Sequence, residues 1–328
     1  MTADLQKAAR VRFRLQLPAT SANLGAAFDA AAVALDFALE LEAQIAGEFR
    51  IQATGRNAEE CGRIDGNLIL DSYCALLERE GRVAQPLTIR MRNEIPLGMG
   101  CGSSAAGRLA AVALAAYFGD MDWSGERILA EACALEGHPD NAAACWMGGL
   151  VIAAAGAGAG SGSQGSPAAV HAAQVTPPED WSALLAMPMR PLATSHARAV
   201  LPDGYSRADA VANVQAAALL GLAFAQGRGD LVAPAMRDRM HQPYRAEICP
   251  LLGPLLPLTG QEGVLGVALS GAGPSVLLVI EGEKDRARQA VTDALGEAGL
   301  AVGQDVELLD AEFAARGASE AWSRMMTG

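Results

Sequence analysis

Residues 96–107 read PLGMGCGSSAAG, four glycines and two serines in twelve positions. They lie between PLTIRMRNEI (86–95), which alternates like a strand, and SSAAGRLAAVALAAYFG (103–119), an alanine-rich helix ended by glycine. A glycine loop between a strand and a helix is a common phosphate receptor, and three readings of it compete. A P-loop needs a lysine after its last glycine, and this chain has only Lys7 and Lys284. Gly100 to Ala105 spell G-x-G-x-x-A, the dinucleotide fingerprint. The strand with an acidic residue that should follow its helix is missing, because DWSGERILAEACALEG (122–137) is helical. The third reading uses no lysine. Successive backbone N–H groups of a glycine loop form an anion nest, and the helix adds its partly positive N-terminus. Ser103 and Ser104 then cap the helix or turn a hydroxyl toward a metal. On this segment alone, a ligand-free turn with serine caps stays open.

Outward from the loop, VRFRLQLPA (11–19) puts Val11, Phe13, Leu15 and Leu17 on one face, a half-buried strand expected to end at Pro18. LDFALELEAQI (35–45) and EFRIQATG (48–55) repeat the alternation, giving a mostly antiparallel sheet, and NLILDSYCALLEREG (67–81) has helical spacing. AAAGAGAGSGSQGSPAA (153–169) is low in complexity, either an interdomain linker or a long hairpin loop. After it come a strand at 181–188 and helices across 206–226 and 229–239. The strands VLGVALSG and PSVLLVIE follow around a tight GAG turn, then a helix at 283–299. A strand, DVELLDAEF, closes the chain. The expected fold class is α+β, with an N-terminal domain over 1–155 and a C-terminal domain over 156–328.

The chain has 328 residues, 51% of them hydrophobic and 19% charged, which fits a folded globular protein. Its formal net charge of −12 argues against nucleic acid or an anionic membrane as partner. A small anion at a locally basic site remains compatible. The start, MTADLQKAARVRF, has no apolar core of a secretory signal. Six cysteines without a CxxC pair suit reduced thiols, hence a cytoplasmic protein.

Three segments in order, PATSANLGAAFDAAAVAL (18–35), PLGMGCGSSAA (96–106) and SGAGPS (270–275), resemble the three motifs of the GHMP small-molecule kinases. EGHPDNAAACWMGG (136–149), TSHAR (194–198) and HQPYR (241–245) are most similar to the homoserine kinases within that superfamily. The resemblance implies two domains: an N-terminal mixed sheet with helices and a C-terminal ferredoxin-like α/β sandwich. It also implies transfer of the γ-phosphate of ATP to the side-chain hydroxyl of L-homoserine, with Mg²⁺ as cofactor and a homodimer as the assembly. Mevalonate-type or sugar acceptors are the alternatives within the superfamily. A non-catalytic amino-acid-binding regulator of the same fold is the alternative outside enzyme chemistry.

Carried over position by position, the resemblance places Pro96, Leu97, Gly98, Met99, Gly100, Cys101, Gly102, Ser103, Ser104 and Ala105 on the ATP phosphates, with Gly271 and Gly273 facing them. Ser104 and Glu136 become the Mg²⁺ ligands, hard oxygens of the kind that ion takes. Asp140 and Asn141 orient the acceptor hydroxyl. Asn23 and Asp29 suit the ammonium and polar end of an amino acid, and His138 lines the same pocket. Arg198 and Arg245 grip its carboxylate, since a guanidinium fork matches that geometry, and Thr194 adds a hydroxyl donor. The sequence departs from the family pattern at Ala26-Ala27, Ala31-Ala32 and Cys101, none of which removes a charged or metal-binding candidate.

Overall fold

The computed structural model describes residues 13–156, 167–189 and 194–327. In chain order, β1 is Phe13–Ala22, β2 Ala31–Ile45, β3 Arg50–Gly55, α1 Leu68–Arg79, β4 Leu87–Asn93, α2 Ser103–Phe118, α3 Gly125–Glu136 and α4 Asp140–Met147. Then come β5 Leu150–Ala155, β6 Val170–Val175, β7 Trp181–Pro188, α5 Thr194–Ala199, α6 Arg207–Gln226, α7 Gly229–Ala235 and α8 Gln242–Arg245. The last elements are β8 Val264–Leu269, β9 Val276–Glu281, α9 Lys284–Glu297, β10 Val306–Glu312 and α10 Ala318–Thr327.

The first sheet has the order β3-β4-β2-β5-β6, with β1 against β2. Its pairs are antiparallel except β3 with β4, so the sheet is mixed. In β1, Phe13, Leu15 and Leu17 are buried and Arg14 and Gln16 exposed, as the alternation dictates. The strand does not stop at Pro18. It runs on to Ala22, because a register shift between Pro18 and Thr20 falls where proline's missing N–H matters least. Covering this sheet, α2 is buried nearly all round, from Ala105 to Phe118 with Arg108 the half-buried exception. Its alanines let it pass close to β1, α1, α3 and α4, so the serines at its head are fixed by a rigid central element.

The second sheet is antiparallel with order β10-β7-β9-β8. Strands β7 and β8, then β9 and β10, are linked through helices, while β8 and β9 meet at the GAG turn. That is the βαββαβ order of a ferredoxin-like sandwich. Two sequence expectations meet differences here. β5 and β6 pair as an antiparallel hairpin within the first sheet, with Ala155 opposite Val170, so 153–169 joins two strands of one sheet. The expected division at 155/156 cuts this hairpin, and the chain changes sheets between Val175 and Trp181. Nor does β10 close the chain. Phe313 bridges Leu35, the Ala314 N–H donates to the Ala34 carbonyl, and α10 packs on β1, which returns the C-terminus to the first body.

The helix expected at 229–239 ends at Ala235, and its neighbour α8 starts only at Gln242. Between them Asp238 accepts from the N–H groups of Met240, His241 and Gln242, which ends one helix and starts the next. By length and composition α6 could cross a membrane. In this fold it is pinned by a buried asparagine: Asn213 donates to the Ala26 carbonyl and to Asp238, and accepts from the Arg239 N–H.

Candidate active site

The three glycine-bearing motifs meet where the two bodies touch, and they are stitched mainly through backbone atoms. The Thr20 N–H donates to the Cys101 carbonyl (3.1 Å), and the Gly271 N–H to the Ala22 carbonyl (3.1 Å). The Ser270 hydroxyl bonds to the Gly100 carbonyl (2.8 Å) and to Ser21 (2.9 Å). Glycine is required at two of these contacts. A Cβ on Gly100 would lie 2.1 Å from the Ser270 carbonyl oxygen, and one on Gly102 2.0 Å from Thr20 Oγ1, both at positive φ. The alanine departures cost nothing of this kind, because none of residues 26, 27, 31 or 32 takes a positive φ, whereas Gly25 does.

A cleft of about 230 Å³ opens at this junction. Gly98, Gly100, Gly102, Ser103, Ser104 and Ala105 line one side, with Gly271 and Ala272 above them. The N-cap of α2 is Gly102 and no side chain caps the helix, so the serine-cap reading fails and the first N–H groups of α2 stay available to an anion. The Ser104 hydroxyl instead donates to Glu136 (2.8 Å). These two hard oxygen groups thus converge beside the loop, which fits a divalent cation of the Mg²⁺ type. Four predicted loop contacts fall elsewhere. Pro96 and Cys101 are buried beneath the loop, Met99 packs against the core, and Gly273 faces Cys249. Burial pushes the Cys101 thiol up to about 12, so it carries no charge toward an anion. Leu97 lines a neighbouring, more apolar cavity of about 270 Å³ with Asn67, Leu68, Ile69 and Ile95, which shares Ser103 and Ser104 with the cleft.

Side chains from four separate segments line the other side. Asp140 starts α4 and is almost fully buried. Its Oδ1 accepts from the Asn141 N–H (2.7 Å) and meets His138 Nδ1 at 2.5 Å. Burial works against a charge on His138, but the hydrogen bond and charge of Asp140 outweigh it and raise the imidazole above its ordinary value. Asn141 Oδ1 accepts from the Thr20 hydroxyl (2.7 Å), which ties α4 to β1.

Asp29 holds Arg198 with two hydrogen bonds, of 2.9 and 3.1 Å. Asn23 faces the cleft with one bond at each end of its amide: Nδ2 donates to the Gly271 carbonyl and Oδ1 accepts from the Asp29 N–H. It sets the loop from a position in the cleft lining. Thr194 begins α5, and its side chain lies outside the described residues.

Arg245 is 1% exposed yet lines the cleft. Its Nε donates to the Ala197 carbonyl (2.9 Å) and Nη1 lies 3.1 Å from His241 Nδ1. Burial, with Arg198 close by, lowers its pKa from the ordinary value. Burial likewise lowers His241. A neutral His241 accepts from Arg245 at Nδ1 and donates from Nε2 to the Gly25 carbonyl (2.8 Å).

Sequence reasoning missed several residues. Arg108 lines the cleft and sits one helical turn after Ser104, a spacing that could have revealed it. Phe28, inside the first motif, carries both guanidiniums over its ring at 5.7 Å (Arg198) and 5.4 Å (Arg245), and it stacks on His241. Thr20 acts through Asn141, a partner remote in sequence, whereas Asp238 caps the nearby N–H groups of Met240, His241 and Gln242, a local role that sequence reasoning passed over. Three arginines therefore face one cleft of a protein whose net charge is −12.

The chain matches the GHMP kinases N terminal domain over residues 67–149 and the GHMP kinases C terminal domain over 221–298. It is 42% identical over 269 residues to a homoserine kinase of Solibacter usitatus, covering 82% of this chain and 85% of that one. To a homoserine kinase of Desulfitobacterium hafniense it is 34% identical over 303 residues, covering 92% and 99%. The crystal structure of homoserine kinase from Cytophaga hutchinsonii superposes with a TM-score of 0.74 at 22% identity, over 93% of this chain and 96% of that one.

Proposed function

The chain belongs to the GHMP kinase family, and within it we propose the activity of a homoserine kinase: ATP and L-homoserine give ADP and O-phospho-L-homoserine. The observation that carries the acceptor is the gathering of Asp29, Arg198 and Arg245 in one cleft, with Asp29 bonded to Arg198, a carboxylate and two guanidiniums that suit the ammonium and carboxylate of an amino acid. Homoserine kinases at 42% and 34% identity over most of the chain support the same reading.

The neighbouring apolar cavity has room for the adenosine, and the glycine loop with the head of α2 then receives the phosphates through N–H donors. Ser104 and Glu136 would hold Mg²⁺, which when bound neutralises phosphate charge. The homoserine hydroxyl oxygen forms a bond to the γ-phosphorus as the bond to the bridging oxygen breaks, and that electron pair leaves on ADP. Asp140 and Asn141 align the hydroxyl. Asp140 Oδ1 already accepts from the Asn141 N–H and meets His138, contacts that hold the carboxylate as an orienting group. The proton therefore leaves late or passes to the phosphoryl oxygens. A homodimer in the cytoplasm completes the proposal, and sedimentation tests the pairing. The six cysteines are all free thiols, in keeping with that compartment.

The test is ADP release with homoserine, mevalonate, galactose and buffer as acceptors. Turnover with homoserine alone is expected. Turnover with mevalonate or galactose in its place, or with no acceptor at all, would overturn the reading.

A further inference from the structure

The loop at the head of α2 has no lysine, yet a cation reaches it from further along the same helix. We propose that Arg108 is a catalytic residue, the cation that meets the transferred phosphoryl group in place of a loop lysine. The proposal rests on the kinase reading above.

Arg108 lies four residues after Ser104, so the two share a face of α2. Side chains on a helix lean toward its N-terminus, which carries this guanidinium back toward Gly98, Gly100 and Gly102, its neighbours in the cleft lining. It is partly exposed there, at 28% of its side chain, while the rest of the helix around it is buried. Nη1 donates to the Leu135 carbonyl and lies 3.2 Å from Glu136 Oε1, the same oxygen that accepts from Ser104.

One guanidinium nitrogen thus anchors Arg108 to the end of α3, and no described hydrogen bond occupies its Nη2 or Nε. A phosphate presents a pair of oxygens with the spacing of a guanidinium fork and more charge than one carboxylate. The other two arginines of the cleft sit over Phe28 on the acceptor side, so the phosphate side depends on this one. Charge develops on the γ-phosphoryl oxygens during transfer, where a positioned arginine is worth far more than in the ground state.

The experiment compares Arg108→Met and Arg108→Lys with the unaltered protein, each with Mg²⁺ present. Calorimetry measures the binding of ADP and of a non-hydrolysable β,γ-imido analogue of ATP, and a coupled assay measures kcat. For Arg108→Met the analogue should bind about tenfold or more weakly, ADP within about threefold, and kcat should fall about 10²- to 10³-fold. Arg108→Lys should recover much of kcat, because charge is kept and only the fork is lost. Equal weakening of ADP and analogue would show that Arg108 merely anchors Leu135 and Glu136, and unchanged binding of both with full kcat would also overturn the proposal. Should Arg108→Met not fold, Arg108→Gln takes its place, with the same expected loss and the same overturning results. The two readings fail separately. An unaltered protein that binds the analogue but does not phosphorylate homoserine sinks the acceptor assignment and leaves the Arg108 binding test intact.

Discussion

The two sides of the cleft are built by opposite means. The phosphate side is built mainly from main chain: glycines at positive φ, the free N–H groups of α2, and carbonyls that lock the loop to β1 and to the GAG turn, with Ser104, Glu136 and Arg108 as its few side chains. The acceptor side is side chain: Asp29, His138, Asp140, Arg198 and Arg245, drawn from two loops, one helix start and two short helices. Backbone recognition asks for shape and accepts any triphosphate. Side-chain recognition asks for charge in a set arrangement and selects one substrate. Glycine substitutions on the first side should therefore act through geometry and stability, and substitutions on the second through the homoserine KM.

The largest effect is expected at Gly100. A methyl group there would sit 2.1 Å from the Ser270 carbonyl oxygen, at φ 76°. Main chain cannot swing aside as a side chain can, so both the loop and the GAG turn must shift. Gly100→Ala should cost about 1–3 kcal/mol in stability from backbone strain alone and reduce kcat/KM by more than about 10³-fold, since small misplacements of phosphate are costly. Thermal melts with steady-state kinetics check both. A variant with near-normal kcat would show that the loop is more pliable than its packing implies.

Next in size is the arginine pair, where the comparison is sharpest. Arg245→Met should raise the homoserine KM about 10- to 100-fold and leave the ATP KM within about threefold, the loss of a charged hydrogen bond to a carboxylate. Arg198→Met should cost less, because it also frees Asp29 from its paired hydrogen bonds and makes that carboxylate more available to the ammonium. Equal changes in both Michaelis constants would break the division between the two sides. Phe28→Leu comes below these. It keeps the volume and removes the ring that both guanidiniums share, so a rise of about tenfold in the homoserine KM is expected, with Phe28→Tyr close to normal.

The same division explains what the sequence disclosed. A main-chain site must be contiguous, so PLGMGCGSSAAG carried its own signature, and the neighbouring motifs fixed its family. Even so, letters did not separate ligand contacts from packing. Cys101 and Gly273 lie in the motifs but face the interior. The acceptor side had to be borrowed from family resemblance, since an arginine at 198 or 245 has no local pattern to mark it. Phe28 escaped notice because its partners lie far along the chain. In the fold, alternation located β1 but not its passage through Pro18, which only pairing with β2 permits. Composition could not say whether 153–169 joins domains or strands, and the pairing of β5 with β6 decided it.

The smallest expected effect is a slope. His241 is buried, carries Arg245 on Nδ1, and has its pKa lowered from the ordinary value of 6.5, with burial the largest cause and the nearby Arg245 charge acting in the same direction. Asp238 and Asp29 oppose that lowering without reversing it. The unfolded chain takes up a proton at this imidazole as pH falls through about 6.5, while the folded chain does not. The stability tied to neutral His241 is thus fully present above pH 6.5 and is lost below it, at up to about 1.4 kcal/mol per pH unit. His241→Gln removes the titration, so its melting temperature should fall less steeply than that of the unaltered protein from pH 6.5 down to 5. Protonation would also turn the Nδ1 acceptor into a donor facing Arg245. A rise in the homoserine KM from this cause should therefore set in only below that interval, where the folded imidazole takes up its proton, while the ATP KM stays level, because the imidazole touches only the acceptor side. Parallel slopes in the two proteins would show that His241 is charged in the folded state, and Arg245 would then need another acceptor to stay in place.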